Sequence, residues 1–286
     1  MSRVTLYMPT HNRSALLSRA LDSALAQSYP DLEIIVVDDG SSDNTLQVLN
    51  EYQQRFNNLI VLRQEIALGA CAARNRALAV ASGEFVTGMD DDDELLPEHI
   101  ATLHRAFRPE LAFVSSSLME DNGHKRFIRQ LDVGVHQLSD TLHYNKFTNQ
   151  VFTLTERMLA IGGFDENFPA FQDYDTWVRL IAKFGPAERI ASATYVLHTG
   201  HELNRISDSP VKRLSALQMF VDKHGDLMNQ QHRDSLEVMR IRMAAEPFLL
   251  GQALKYINLG NWKTTVALYM NRNLTGIKRV VDHVRR

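Results

Sequence analysis

Four consecutive aspartates, Asp90 to Asp93, directly follow the apolar run Phe85 to Met89. Neighbouring carboxylates repel one another, and no basic residue close in sequence neutralises these four. A divalent cation relieves that repulsion, and oxygen-only ligands suit magnesium or manganese. A solvated acidic turn is the other reading the spacing allows. A calcium-binding EF-hand loop is excluded, since it needs glycine at its sixth position and Glu at its twelfth, where this chain has Leu95 and Ala101. Neither GxxxxGK[ST] nor GxGxxG occurs, so any phosphate must be held by metal and a few basic groups. A second acidic pair, Asp38-Asp39-Gly40-Ser41, also closes an apolar run. Ser41 or Ser42 suits the cap of a helix starting near Asn44. Capping accounts for the serines and the glycine, and leaves two aspartates able to accept hydrogen bonds from a nucleobase N–H and ribose hydroxyls.

These residues need a frame. Val4 to Met8 is a short apolar run ended by Pro9-Thr10, and Leu16, Leu17, Ala20, Leu21, Ala24 and Leu25 then fall at helical spacing. Pro30 stops that helix. Glu33 to Val37 reads as a strand buried on both faces, Leu59 to Leu62 as a third strand and Phe85 to Met89 as a fourth. Ala70 to Ala81 is an alanine-rich helix closed by Ser82-Gly83, and Pro97 opens a helix over 98–107. Further on, Leu111 to Ser115 and Thr194 to His198 look like strands and Tyr174 to Phe184 like a helix, whereas from about 208 only helix patterns follow. Alternating strands and helices predict a mostly parallel sheet covered on both faces, with ligands beyond the carboxyl ends of its strands. Pro9-Thr10, Asp38-Asp39 and Asp90 to Asp93 are therefore expected in one crevice.

Composition narrows the class. With 286 residues the chain has room for about two domains. The 31 Lys and Arg against 34 Asp and Glu leave a formal charge of -3, giving no global attraction for nucleic acid. Cys71 is the one cysteine, so no internal disulfide forms, and a reducing cytoplasmic setting is expected. The N-terminus does not read as a signal peptide, and no apolar run reaches the roughly 18 residues of a spanning helix. A soluble protein is expected.

Residues 4 to 97 resemble the donor-binding half of the family 2 glycosyltransferases. The resemblance rests on Pro9-Thr10-His11-Asn12-Arg13, Val36-Val37-Asp38-Asp39-Gly40-Ser41-Ser42-Asp43, Ala73-Arg74-Asn75, Ser82-Gly83-Glu84 and Met89 to Pro97. Gly162-Gly163-Phe164-Asp165-Glu166 and Asp173 to Leu180 are similar to the family's acceptor-side motif. The resemblance implies an α/β GT-A fold, Rossmann-like with three α/β/α layers around a mostly parallel sheet, and a helical C-terminal extension. The catalytic domain would span 1–205, with a nucleotide-binding half at 1–97 and an acceptor half at 98–205, and the extension 206–286.

The same resemblance implies roles. Pro9, Thr10, Asn12, Arg13, Asp38, Asp39, Arg74, Asp90 and Asp91 would contact a nucleotide-sugar donor, usually a uridine one. Asp92 would hold Mn2+ or Mg2+, with His198 beside it and His201 as a less favoured substitute. Asp173 would be the general base, preceded by Gln172 where the family commonly has Glu. Trp177 would floor an acceptor site or, as aromatic residues on helix faces more often do, fill the core. One displacement with one base inverts the anomeric centre. The acceptor would be a saccharide or lipid-linked oligosaccharide of bacterial surface polysaccharide assembly. Two rivals stand beside this: a nucleotide-sugar-binding protein without activity, towards which Gln172 leans, and a sugar nucleotidyltransferase, which Pro9 to Arg13 disfavours for want of glycines.

The C-terminal stretch 261–286 holds Lys263, Arg272, Lys278, Arg279, Arg285 and Arg286 against one acid, Asp282. Ile277, Val280, Val281 and Val284 fall at helical spacing beside them. A solvated helix face is the simpler reading, and peripheral contact with the inner face of the cell membrane through this basic end is the alternative.

Overall fold

The structure, a computed structural model, describes residues 2–200 and 209–273. His201 and the basic, apolar stretch from Ile277 to Arg286 lie outside the described residues. The described residues form two compact units. One takes 2–138, 146–167 and 172–200; the other takes 139–145, 168–171 and 209–273. The helical unit thus includes two short segments that lie, in sequence, within the 1–205 stretch.

In the first unit a parallel sheet is laid down in alternation with helices: β1 (Val4–Thr10), α1 (Ser14–Leu25), β2 (Leu32–Asp39), α2 (Thr45–Gln53), β3 (Leu59–Gln64), α3 (Ala70–Val80) and β4 (Phe85–Gly88). Its strand order is β3-β2-β1-β4, and β9 (Thr153–Leu154) closes the edge antiparallel to β4. Alternate residues along β1 and β2 feed two cores, as a strand's two-residue period demands. Val4, Leu6, Met8, Ile34 and Val36 pack with Leu17 and Leu21 of α1, Leu49 of α2 and Leu103 of α4 (His99–Ala106). Tyr7, Ile35 and Val37 pack on the other face with Ala73 and Ala77 of α3, Met158 of α6 (Thr155–Ala160) and Trp177 and Leu180 of α7 (Gln172–Phe184). The alanines of α3 let its backbone ride close to the sheet, which brings Arg74 down to the strand ends.

A second sheet has the order β5-β10-β6-β7, built from β5 (Glu94–Leu95), β6 (Val114–Asp121), β7 (Arg126–Ile128) and β10 (Ala187–His198), with β8 (Gly134–His136) also on β10. Two of its strands differ from the sequence expectation. Leu111 to Phe113 are buried core residues ahead of β6, and Ala112 N–H bonds to Pro186 O instead of joining the ladder. β10 starts seven residues before Thr194 because its first half is polar and irregular, with register shifts between Arg189 and Tyr195.

The second unit is helical. It holds most of α5 (Leu138–His143), then α8 (Pro210–His224), α9 (Gln230–Met243), α10 (Leu250–Tyr256) and α11 (Trp262–Asn273). Ser209 caps α8 ahead of Pro210, and Asn229 with His232 forms a reciprocal capping box on α9. Val238, Ile241, Phe248, Ala253 and Leu268 form one buried cluster in it, and Phe220, Leu217 and Leu236 are buried as well. His143 and Ser139 of α5 bond to Ser235 and His232 of α9 at 2.7 and 3.0 Å, which seats the 139–145 segment in this unit.

Candidate active site

The parallel register fixes where the motifs meet. Thr10 pairs with Asp38 across β1 and β2, and Met89 N–H bonds to Tyr7 O across β1 and β4. Three strand ends therefore release their polar residues along one edge of the sheet, and the predicted cluster forms. Asn12, at φ 53°, stitches the first two turns together: its side-chain oxygen accepts from the N–H of Ser42 and Asp43, and its own N–H bonds to Ser41 Oγ. Gly40 has φ 68°, and a Cβ there would sit 2.8 Å from Ala67 N, so glycine is required twice over.

The two aspartates of β2 play different parts. Both carboxylate oxygens of Asp39 are engaged by the chain: Gln64 Nε2 and Leu68 N–H donate to one at 2.5 and 2.7 Å, and Gly69 N–H to the other at 2.8 Å. Asp39 thereby fixes the loop that enters α3. Asp38 accepts from Ser41 N–H through one oxygen, while its other oxygen is buried with no hydrogen-bond partner among the described residues. Arg13 Nη1 likewise has no hydrogen bond, and the Thr10 side chain lies against the Asp91 carboxylate. Pro9, the last residue but one of β1, is buried.

Arg74 is the hub. Its Nη2 donates to Asp90 Oδ1 at 3.0 Å, and its Nη1 stands 3.8 Å from Asp173 Oδ1. The guanidinium lies over the Phe164 ring at 5.3 Å, and Asn75, the next residue, receives Phe164 N–H and donates to Phe164 O. This explains why Ala73-Arg74-Asn75 and Gly162-Gly163-Phe164 belong together although about 90 residues separate them. Asp90 also accepts from Asn149 and Gln150 at 2.9 and 3.1 Å. Asp173 sits in the first turn of α7 with its side chain 23% exposed. Its Oδ1 is buried without a hydrogen bond, and desolvation pushes its pKa up to about 7 against the pull of Arg74. That suits a group that must take a proton near neutrality.

The rest of the acidic run is held firmly. Desolvation raises the pKa of Asp91 to about 7. Asp93 is fully buried and accepts from Tyr195 OH at 2.8 Å and from His198 N–H at 3.0 Å, and burial and its neighbouring carboxylates raise its pKa well above the usual range. Asp92 is only half-buried, and its carbonyl receives Arg19 Nη2 at 2.5 Å. His198 Nε2 stands 3.2 Å from Glu94, with Asp121 3.9 Å from Nδ1. Among the described residues no group of three or more His, Cys, Asp or Glu forms a complete metal cage. Burial first, with neighbouring carboxylates adding to it, raises Asp91 and Asp93, and His198 stands against Glu94 and Asp121. Carboxylate oxygens with an imidazole in the same loop cluster are ligand types that a divalent cation accepts.

Trp177 is fully buried between Phe113 and Phe164, and its indole N–H donates to Thr148 O at 2.9 Å. Its ring offers no open face to a sugar, so it belongs to the core that supports α7. Arg19, Asn149, Gln150 and Tyr195 also hold the acidic run, and no motif or spacing in the sequence marks them.

The profile of the family described as glycosyl transferase family 2 matches residues 5–164, more than half of the chain. The chain belongs to that family and is a glycosyltransferase. It is 34% identical over 232 residues to WcaA of Escherichia coli K12, a protein named as a colanic acid biosynthesis glycosyl transferase, covering 78% of this chain and 81% of that one. It is also 40% identical over 125 residues to the GalNAc(5)-diNAcBac-PP-undecaprenol beta-1,3-glucosyltransferase of Campylobacter jejuni, covering 43% of this chain and 40% of that one. Among solved structures it is similar to S. aureus TarS 1-349 in complex with UDP-GlcNAc, with a TM-score of 0.66 at 20% identity over 94% of this chain and 81% of that one. The mannosyltransferase PcManGT from Pyrobaculum calidifontis in complex with GDP-Man and Mn2+ gives a TM-score of 0.59 at 19% identity, covering 98% and 88%. The fold is GT-A with a helical C-terminal region.

Proposed function

We propose that this glycosyltransferase moves a sugar from a UDP-sugar to a hydroxyl of a saccharide or lipid-linked saccharide, with inversion and with a divalent cation. The observation that carries the reading is the pair of contacts made by Arg74. One guanidinium holds Asp90 of the acidic run and stands beside Asp173, whose pKa of about 7 matches a general base. The acceptor oxygen attacks the anomeric carbon, the bond from that carbon to the diphosphate oxygen breaks, and the hydroxyl proton passes to Asp173. UDP leaves. Asp92, with His198, would hold Mn2+ or Mg2+, which when bound supplies charge that offsets the departing diphosphate. Asp38, Thr10 and Arg13, whose buried polar atoms line the ends of β1 and β2, suit the nucleoside and phosphates. The UDP-GlcNAc held by TarS and the names of WcaA and the Campylobacter enzyme favour a UDP-sugar and a polysaccharide or lipid-linked acceptor.

Melting temperature measured with UDP, GDP, CMP and ADP, each with manganese or with EDTA, tests the donor site. A hundredfold excess of ligand over its Kd adds about 2.7 kcal/mol, which is several degrees for a protein of this size. The expected result is a shift for UDP that needs manganese and disappears in Asp92→Ala. A UDP shift that survives in Asp92→Ala with EDTA would remove the metal from the account. No shift with any nucleotide would remove the donor.

A further inference from the structure

The helical unit carries an apolar surface that the transfer reaction does not use. On α10, Leu250, Leu254 and Ile257 recur at helical spacing on the outer face, with Leu254 68% exposed. On α11, Trp262, Val266 and Met270 do the same, with Trp262 50% exposed. Leu259, in the turn joining the two helices, is 91% exposed. The opposite faces of both helices, through Ala253 and Leu268, turn to the core cluster of Val238, Ile241 and Phe248. The exposed stripes are therefore the outside of a helical hairpin whose inside is already satisfied. Single exposed apolar residues need no explanation, but seven at helical spacing along two consecutive helices and their turn point to an interaction surface.

Charge identifies what covers it. From Pro247 to Arg286 the sequence has seven Lys or Arg and a single acid, Asp282, in a chain whose net charge is -3. Within the described part, Lys255, Lys263 and Arg272 flank the stripes, and 247–273 contains no Asp or Glu. Lys255 Nζ lies 4.9 Å from the Tyr256 ring centroid and Lys263 Nζ 5.8 Å from that of Trp262. Each amine thus sits at the rim of an aromatic side chain. Leucines and a tryptophan beside lysines, without acids, are the composition of a helix lying in a bilayer interface. A second copy of this chain would bring like charges together across the contact.

We infer that the outer face of α10 and α11 docks on an anionic phospholipid surface, with Leu254, Leu259 and Trp262 entering the headgroup region and Lys255 and Lys263 meeting lipid phosphates. The inference does not depend on the reading of Asp173 or of the donor. It is tested by floating the full chain with vesicles of phosphatidylcholine alone, or of phosphatidylcholine mixed with phosphatidylglycerol. The wild type is expected to float with the mixed vesicles only, and to be released by added salt. Each lysine near an anionic surface adds roughly fivefold to partitioning, so Lys255→Gln with Lys263→Gln weakens binding about 30-fold. Leu254→Ser with Trp262→Ser weakens it by at least about tenfold. These side chains are exposed, so both variants should keep the wild-type circular dichroism melt. Equal flotation with both vesicle types overturns the inference, as does wild-type binding by the Leu254/Trp262 pair variant. A dimer in sedimentation velocity that this variant dissolves also overturns it, and gives the face to a second copy.

Discussion

Replacing Arg74 by methionine removes the one guanidinium shared by Asp90 and Asp173. An opposite charge within roughly 4–6 Å lowers a carboxylate pKa by about 1–3 units. Here the separation is 3.8 Å and about a quarter of the Asp173 side chain meets solvent, which screens the pair and favours the lower half of that range. Without Arg74 the Asp173 pKa should climb from about 7 towards 8 or 9. A base must be ionised to act. At pH 7 the active fraction then falls from about one half to between roughly one tenth and one hundredth, so kcat/KM drops about 5- to 50-fold. The loss should be recovered as the pH rises past the new value, and Arg74→Lys, which keeps a cation, should leave the acidic limb near its original place. The assay is the pH profile of kcat/KM for cleavage of the UDP-sugar, followed as UDP release. A uniform loss at every pH, with the acidic limb unmoved, would refute the argument that Arg74 sets the Asp173 proton affinity.

Two stability predictions follow from the same unit. Tyr195 OH donates to Asp93 and accepts from Asp90 N–H and Asn149 Nδ2, so Tyr195→Phe strands buried polar groups and should cost about 1–3 kcal/mol in urea unfolding; a loss below about 0.5 kcal/mol would show that the acidic loop does not rely on it. His99 is buried against Thr194 Oγ1, and desolvation pushes its pKa down to about 3. The unfolded histidine, near 6.5, takes up a proton that the folded one refuses, so the His99 contribution is fully present above about pH 6.5 and is lost as the pH falls towards 3. Stability against pH between about 6 and 4 should therefore be shallower in His99→Gln by roughly 1.4 kcal/mol per unit, and identical slopes would count against a neutral buried His99.

Much of this architecture can be read from residue patterns, and the parts that cannot have physical reasons. β2 carries four consecutive β-branched apolar residues, so its burial on both faces is written in Ile34, Ile35, Val36 and Val37. α3 is legible from its alanines and its Ser82-Gly83 stop. The convergence of Thr10, Asp38 and Asp90 follows from parallel strands ending at one edge. By contrast, β10 has Glu188 and Arg189 directly after its first residue, and the Arg189 guanidinium is buried while donating to the carbonyls of Ser116 and Lys146, partners more than 40 residues away. Pattern cannot anticipate that. Nor can it show that Tyr195, 105 residues from Asp90, holds the acidic run, or that Asn149 and Gln150 do so through neutral amides. The two β2 aspartates look equivalent in sequence. Only the approach of Leu68 and Gly69 shows that Asp39 anchors a loop while Asp38 keeps an oxygen without a hydrogen bond, facing Arg63 at 3.9 Å.

The proposed role of Asp173, taking the proton of the acceptor hydroxyl, can be separated from donor binding by one substitution. Asp173→Asn keeps the shape of the side chain and removes its basicity. Binding of UDP with manganese, measured by calorimetry beside sugar transfer by the same preparation, separates the two roles. The expected result is nucleotide affinity within about threefold of wild type and transfer reduced by roughly 10²- to 10⁴-fold, the usual contribution of a general base. Transfer at the wild-type rate, or nucleotide affinity lost together with activity, would contradict it.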